Sequence, residues 1–325
     1  MLMAMLQTAF AVTEEPITLN TGSGELSGLL LLPTGEANLK APVVLLVAGS
    51  GPTDRDGNSK LIRGRNDSLK MLAVALAEAG FASVRFDKRG LAGSASALSR
   101  ESDLRFETYA QDATAWVRKL ADDGRFTSVA ILGHSEGSLV GMLAAQASPA
   151  TAYVSVAGSA EGAPALLRQQ LKGKLPPDLS ERNEAILSSL ESGETVVDVP
   201  PALNALYRPN IQPYLISWFK YLPTAELRKL QVPCLVLQGD TDIQVPVSQA
   251  AALQAANTGC KLQVIRGMNH VLKLVPPDQA QQLASYGDPA LPIAPVLVEE
   301  LTRFLSAAMN GGTKLAAEPS AMSSR

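Results

Sequence analysis

The sequence predicts an α/β fold, a mostly parallel sheet with helices on both faces and one helical insertion. Three observations predict it. Short apolar runs alternate with segments of helical spacing, the rhythm of parallel strands linked by crossover helices. One such run, Val129-Ala130-Ile131-Leu132, passes into Gly133-His134-Ser135-Glu136-Gly137 and then into a small-residue helical pattern. From residue 159 to residue 231 the rhythm breaks, and helical segments punctuated by proline pairs take over. The expected organisation is a core over residues 12–158, a helical cap over 159–231 and a second core part over 232–310. Residues 311–325 are small, polar and aperiodic, and are expected to be a disordered tail.

Ile17 to Asn20 and Glu25 to Leu32 read as strands joined by Thr21-Gly22-Ser23-Gly24. Those glycines open no helix and miss the G-x-G-x-x-G spacing, so they make a hairpin turn rather than a phosphate cradle. Val43 to Val47 is a buried strand that runs into Gly49-Ser50-Gly51-Pro52, where glycines let the backbone bend close to a ligand. Asp67 or Ser68 caps a helix carrying Leu69, Leu72 and Leu76 on one face. Phe81 to Phe86 is the next strand, ending in Asp87-Lys88-Arg89-Gly90, whose Asp87 and Arg89 read as structural. Phe106, Tyr109, Ala113, Trp116, Val117 and Leu120 follow helical spacing and make core contact.

A helix from Glu136 to about Gln146 and a strand from Tyr153 to Gly158 follow the G-x-S-x-G turn. The insertion reads as helices over Ala163 to Leu171, Ser180 to Leu190, Ala202 to Tyr207 and Ile211 to Tyr221. The sheet resumes at Cys234 and again at Lys261, and Val298, Leu301, Phe304 and Leu305 mark a last helix stopped by Asn310-Gly311-Gly312.

Composition narrows the class. The chain has 325 residues, enough for a full core, and a net charge of −3 that offers no basic stripe for nucleic acid. No stretch is long and uncharged enough to span a bilayer, so no integral membrane association is expected. Met1 to Ala11 is apolar but lacks a basic leading segment. A cytoplasmic location is the expectation, with the periplasm or secretion as the alternative if that stub is a signal remnant. The two cysteines are too few for a disulfide framework or a thiolate cage. Cys234 begins a buried strand and reads as a core residue, with a bridge to Cys260 left open. With two histidines and no cluster of ligand types, no metal is expected. The sequence fixes no oligomeric state.

Chemistry enters at the strand, G-x-S-x-G, helix succession. It sets Ser135 on a sharp turn above the carboxyl edge of the sheet, with glycines where side chains would not fit. A serine nucleophile needs a base, and only two histidines exist. His134 lies inside the turn, so His270, after the strand-like run Lys261 to Ile265, is the candidate base. The strand Cys234 to Gly239 empties into Asp240-Thr241-Asp242, and either aspartate can orient the imidazole. Asp242 is preferred because it falls deeper in the loop beyond the sheet edge. Backbone N–H groups of Glu136 and of Ser50, or alternatively Gly51, are the candidate oxyanion donors. The Glu136 carboxylate, in the first turn of a helix, is expected to favour the macrodipole. Gly51, Tyr214, Trp218 and Phe219 are candidate substrate contacts.

These residues resemble the α/β-hydrolase family from about residue 25 to about residue 309. Gly239-Asp240-Thr241-Asp242-Ile243-Gln244-Val245-Pro246 resembles the family's acid loop, which also selects Asp242, and Asn269-His270 resembles the dipeptide carrying its base. Ala48 to Asn58 resembles the oxyanion loop of bacterial carboxylesterases with a helical cap, except that many relatives carry histidine where Ala48 stands. Gln212-Pro213-Tyr214-Leu215 with Ser217-Trp218-Phe219 resembles their cap segment. The resemblance implies a serine hydrolase that cleaves small carboxylic esters of short or medium acyl chain through an acyl-enzyme, with no cofactor. A peptidase or aminopeptidase would use Glu181, Glu184 and Glu191 for a peptide terminus. A thioesterase for coenzyme A esters would use Lys172 and Lys174. A non-catalytic ligand-binding protein would have lost part of the serine, acid and histidine set.

Overall fold

The computed structural model describes residues 13–33 and 40–310. The apolar N-terminal stub and the tail from residue 311 lie outside the described residues. The first half runs β1 (Thr13–Asn20), β2 (Glu25–Leu32), β3 (Ala41–Val47), α1 (Ser68–Glu78), β4 (Ala82–Phe86), α2 (Phe106–Ala121), β5 (Phe126–His134), α3 (Glu136–Ala147) and β6 (Ala152–Val156). An insertion of α4 (Ala163–Leu171), α5 (Pro177–Glu191), α6 (Asn204–Tyr207), α7 (Gln212–Trp218) and α8 (Pro223–Arg228) follows. The sheet then resumes with β7 (Cys234–Gly239), α9 (Val247–Ala256) and β8 (Lys261–Ile265), and the described chain closes with α10 (Gln279–Ser285) and α11 (Pro295–Asn310).

Eight strands make one sheet in the order β1-β2-β4-β3-β5-β6-β7-β8. The first two strands pair antiparallel, as the hairpin turn requires, and β2 is antiparallel to β4. Every later neighbour pair is parallel. Helices cover both faces, so the central strands are buried on both sides and read as unbroken apolar runs. One core layer holds Phe106, Trp116, Val117 and Met142 from α2 and α3, together with Ile186, Leu187, Tyr207 and Leu227 of the insertion. The opposite layer holds Leu72 and Leu76 of α1 against Leu297, Leu301 and Leu305 of α11. The insertion therefore packs on the α2–α3 side and reaches over the carboxyl end of β5. This is an α/β-hydrolase fold with a helical cap.

Several local expectations change. Asp67 does stand before α1, but it has φ 51° and its side chain makes no capping bond. The left-handed backbone turns its carboxylate toward Asn58 Nδ2 at 2.7 Å and Arg65 Nε at 3.0 Å instead. Helix α5 starts at Pro177 rather than Ser180, since proline at the first helical position is already set to helical φ. Helix α7 ends at Trp218, short of Tyr221. Cys234 and Cys260 are both buried and form a disulfide that joins the starts of adjacent strands β7 and β8. No helix among the described residues is long and apolar enough to cross a membrane.

Candidate active site

Strand β5 ends at His134 and α3 begins at Glu136, leaving Ser135 alone in the turn with φ 56° and ψ −123°. Such a conformation costs an ordinary residue about 1–3 kcal/mol and persists only where its surroundings hold it. Here they do. A Cβ on Gly133 would lie 2.1 Å from the Gly137 carbonyl oxygen, and one on Gly137 would lie 2.3 Å from that of Val47. Any side chain at either position would push the turn off the sheet. The Ser135 N–H donates to the Val156 carbonyl at 2.9 Å, pinning the turn to β6.

His270 sits in the turn that follows β8. Its neighbour Asn269 is fully buried, accepts from the Lys273 N–H at 3.0 Å and donates to Ser285 Oγ at 2.8 Å. Those bonds hold the loop so that the imidazole faces the elbow. His270 Nε2 lies 3.2 Å from Ser135 Oγ, and Nδ1 lies 2.8 Å from Asp242 Oδ2. The Asp242 side chain is fully buried, and Oδ1 accepts the Gln244 and Val245 N–H groups at 2.7 and 2.9 Å. Oδ2 also accepts from Gln238 Nε2 at 3.0 Å. Burial alone would raise the Asp242 pKa, but the facing His270 and the backbone donors outweigh it and hold the carboxyl below its usual range. Asp240 faces elsewhere and accepts the Gly267 N–H at 2.6 Å, a turn role.

His134, the other histidine, has a part that the sequence did not disclose. Its Nε2 meets the His270 carbonyl oxygen at 2.7 Å, so it buttresses the backbone of the loop opposite. A carbonyl only accepts, so Nε2 carries the proton. Burial, helped by the neighbouring His270, pushes the His134 pKa down to about 4.

The loop after β3 lies directly against Ser135. A Cβ on Gly49 would come 3.1 Å from Ser135 Cβ, so the backbone approaches where a larger residue would crowd. Among the described residues, no backbone hydrogen bond uses the N–H of Ser50, Gly51 or Glu136. Lys88 Nζ donates to the Gly49 carbonyl at 2.6 Å. The Glu136 side chain departs from expectation: it is buried and receives the Tyr214 hydroxyl, rather than standing in solvent at the helix start. Burial raises its pKa, and the charge of Lys88 opposes that rise.

These groups open onto a cavity of about 840 Å³. Ser50, Gly51, Ser135 and His270 form its floor, and Leu166, Leu206, Ile211, Tyr214, Leu215 and Trp218 come from the insertion. Phe219 is not among the lining residues. It stands one position beyond the end of α7 and packs against the core layer, as Trp218 also does. Glu181, Glu184, Glu191, Lys172 and Lys174 do not line the cavity either. Arg168 binds both Glu184 and Glu191, at 2.7 and 2.6 Å.

Sheet order, elbow and helical insertion define an α/β hydrolase. The chain belongs to the Hydrolase_4 family, described as serine aminopeptidase S33, whose model matches residues 65–274. It is 27% identical over 264 residues to esterase EstD of Thermotoga maritima, covering 80% of this chain and 60% of that protein. The chain thus spans about 60% of the length of this curated relative. Among solved structures it resembles Est1E from Butyrivibrio proteoclasticus with ferulic acid bound, at TM-score 0.60 and 20% identity over 90% of this chain and 99% of that one. It also resembles a puromycin-hydrolyzing peptidase of Mycobacterium tuberculosis, at TM-score 0.58 and 17% identity over 93% of this chain and 40% of that one. At these identities the structural likeness concerns the fold.

Proposed function

We propose that the chain is a serine hydrolase that cleaves small carboxylic esters of short or medium acyl chain. The observation that carries this reading is the continuous line from Ser135 through His270 to Asp242, with contacts of 3.2 and 2.8 Å at the floor of a cavity. Ser135 Oγ attacks the ester carbonyl while His270 Nε2 takes its proton. The N–H groups of Ser50 and Glu136 receive the oxyanion. On collapse the C–O bond breaks, and His270 passes the proton to the leaving alcohol. Water then attacks the acyl-serine, giving its proton to His270, and the free acid and Ser135 hydroxyl are restored. Asp242 keeps the proton on Nδ1 and stabilises the imidazolium. Gly51, Tyr214 and Trp218 contact the substrate.

An ester is favoured over a peptide because Glu181, Glu184 and Glu191 lie off the cavity, two of them tied to Arg168, and of the glutamates that line it Glu101 is tied to Arg208 and Glu136 to Tyr214, leaving Glu161. Lys172 and Lys174, the residues weighed for a thioester of coenzyme A, lie off the cavity. The similarity to EstD supports the same choice. The test is a panel of nitrophenyl esters of graded acyl length beside aminoacyl-anilides and acyl thioesters. The esters should turn over fastest, and Ser135→Ala should abolish that turnover. Preferred cleavage of the anilides would move the reading to a peptidase, and turnover unchanged in Ser135→Ala would end it.

A further inference from the structure

Lys88 is an ammonium only 4% exposed, beside the nucleophile, with no part in the chemistry above. Burying a charged group is costly, and an apolar residue would fill the space with less penalty. Among the described residues its one side-chain hydrogen bond is to the carbonyl oxygen of Gly49, at 2.6 Å, and its charge sits 5.2 Å from the centre of the Tyr109 ring. Burial lowers its pKa and the Glu136 charge opposes that.

The Gly49 carbonyl and the Ser50 N–H belong to one peptide unit. That unit is planar, and no peptide bond among the described residues is cis, so the two groups point in opposite directions. Whatever holds the carbonyl also aims the N–H. The unit needs holding because Gly49, which carries no side chain, borders it on one side and leaves its ψ free. A peptide bordered by glycine rotates with less steric resistance. A half-turn of this unit would present an oxygen, rather than a donor, to a developing oxyanion.

The geometry points to Lys88 as a positioning residue that clamps the Gly49 carbonyl and thereby aims the Ser50 N–H at the oxyanion. This rests on the ester-hydrolase reading and deepens it. A cation on the carbonyl oxygen also polarises the amide, making its N–H a stronger donor. The contribution is made when charge develops on the substrate oxygen, so it acts on the transition state more than on substrate binding.

The test compares the full chain with Lys88→Met, which keeps length and removes charge and donor, and with Lys88→Arg, which keeps both. Substrate is p-nitrophenyl butyrate, and an alkyl boronic acid serves as the tetrahedral mimic. Rates are normalised to titrated active sites. Lys88→Met should lower kcat by about tenfold or more, toward the about 10²–10³ seen when an oxyanion donor is removed outright. KM should stay within about twofold, and boronate affinity should fall by the same factor as kcat. Lys88→Arg should recover part of both. A purely packing role would reduce folded enzyme and leave kcat per active site and boronate affinity unchanged, which would overturn the proposal.

If Lys88→Met does not fold, the wild-type Ser50 amide proton still reports. It should move downfield when the boronate binds, and an unmoved signal would overturn the proposal. Ser135→Ala separates the two readings. Loss of turnover there with full kcat and boronate affinity in Lys88→Met defeats only the lysine clamp. Turnover surviving in Ser135→Ala defeats the hydrolase mechanism beneath it.

Discussion

His134 should make the folded protein lose stability as pH falls through the weakly acidic range. In the native state it is 8% exposed and bonded through Nε2 to His270, and its pKa is about 4 against an ordinary 6.5. The unfolded chain then takes up a proton below pH 6.5, while the native state resists until about pH 4. More protons on the unfolded side means stability rises with pH and falls on acidification. Worked from those two values, His134 costs about 2 kcal/mol between pH 7 and pH 5, and about 3 kcal/mol by pH 4. Asp242, held below its usual range, loses its contribution in the same direction, so the comparison must isolate one residue. His134→Gln does so, because an amide can donate to the same carbonyl and does not titrate. Urea unfolding of both proteins at pH 7, 5 and 4 gives the difference. The wild type should lose stability more steeply than the variant by the amounts above. Parallel curves would refute the claim that this imidazole is kept neutral by its burial.

Three further outcomes follow from the same structure. Asp242→Asn should reduce kcat by about 10⁴-fold, since the amide imposes the wrong tautomer on His270, while Asp240→Asn, altering only a turn contact, should lose little; equal losses in steady-state assays would overturn the choice of acid. Cys234→Ala with Cys260→Ala opens a loop of 26 residues, which the chain-entropy model values at about 3.5 kcal/mol. Denaturant unfolding should show a loss of that order with kcat per active site unchanged, because the bridge joins the strand starts, away from the site at their carboxyl ends. Tyr214→Phe leaves the buried Glu136 carboxyl without its hydroxyl donor, at a cost of about 1–3 kcal/mol measured by the same unfolding; an unchanged midpoint would show that the contact carries no weight.

What could be read from the sequence is what local pattern encodes. Ser135 announced itself through glycines whose Cβ positions are blocked by backbone, and His270 through scarcity, the chain having two histidines. The insertion showed in the broken strand rhythm. Other features depend on contacts between distant segments. The carbonyl that His134 holds lies 136 positions away, and no spacing rule anticipates it. Glu136 looked like a helix-start anion because nothing local reveals that Tyr214, 78 positions on, would cover it. The Cys234–Cys260 pairing required knowing that β7 and β8 are neighbours with their starts side by side. The cap segment that holds Tyr214, Trp218 and Phe219 is legible as a stretch of sequence, but which of its aromatic rings reaches the cavity is set by tertiary packing, and Phe219 is not among the lining residues.

The proposed hydrolysis requires Ser135 to be the group that becomes acylated. Intact-mass analysis after treatment with a fluorophosphonate, followed by peptide mapping, measures this directly. One equivalent of adduct should appear on Ser135, with labelling strongly slowed in His270→Ala. An adduct on another residue, or undiminished labelling in Ser135→Ala, would contradict it.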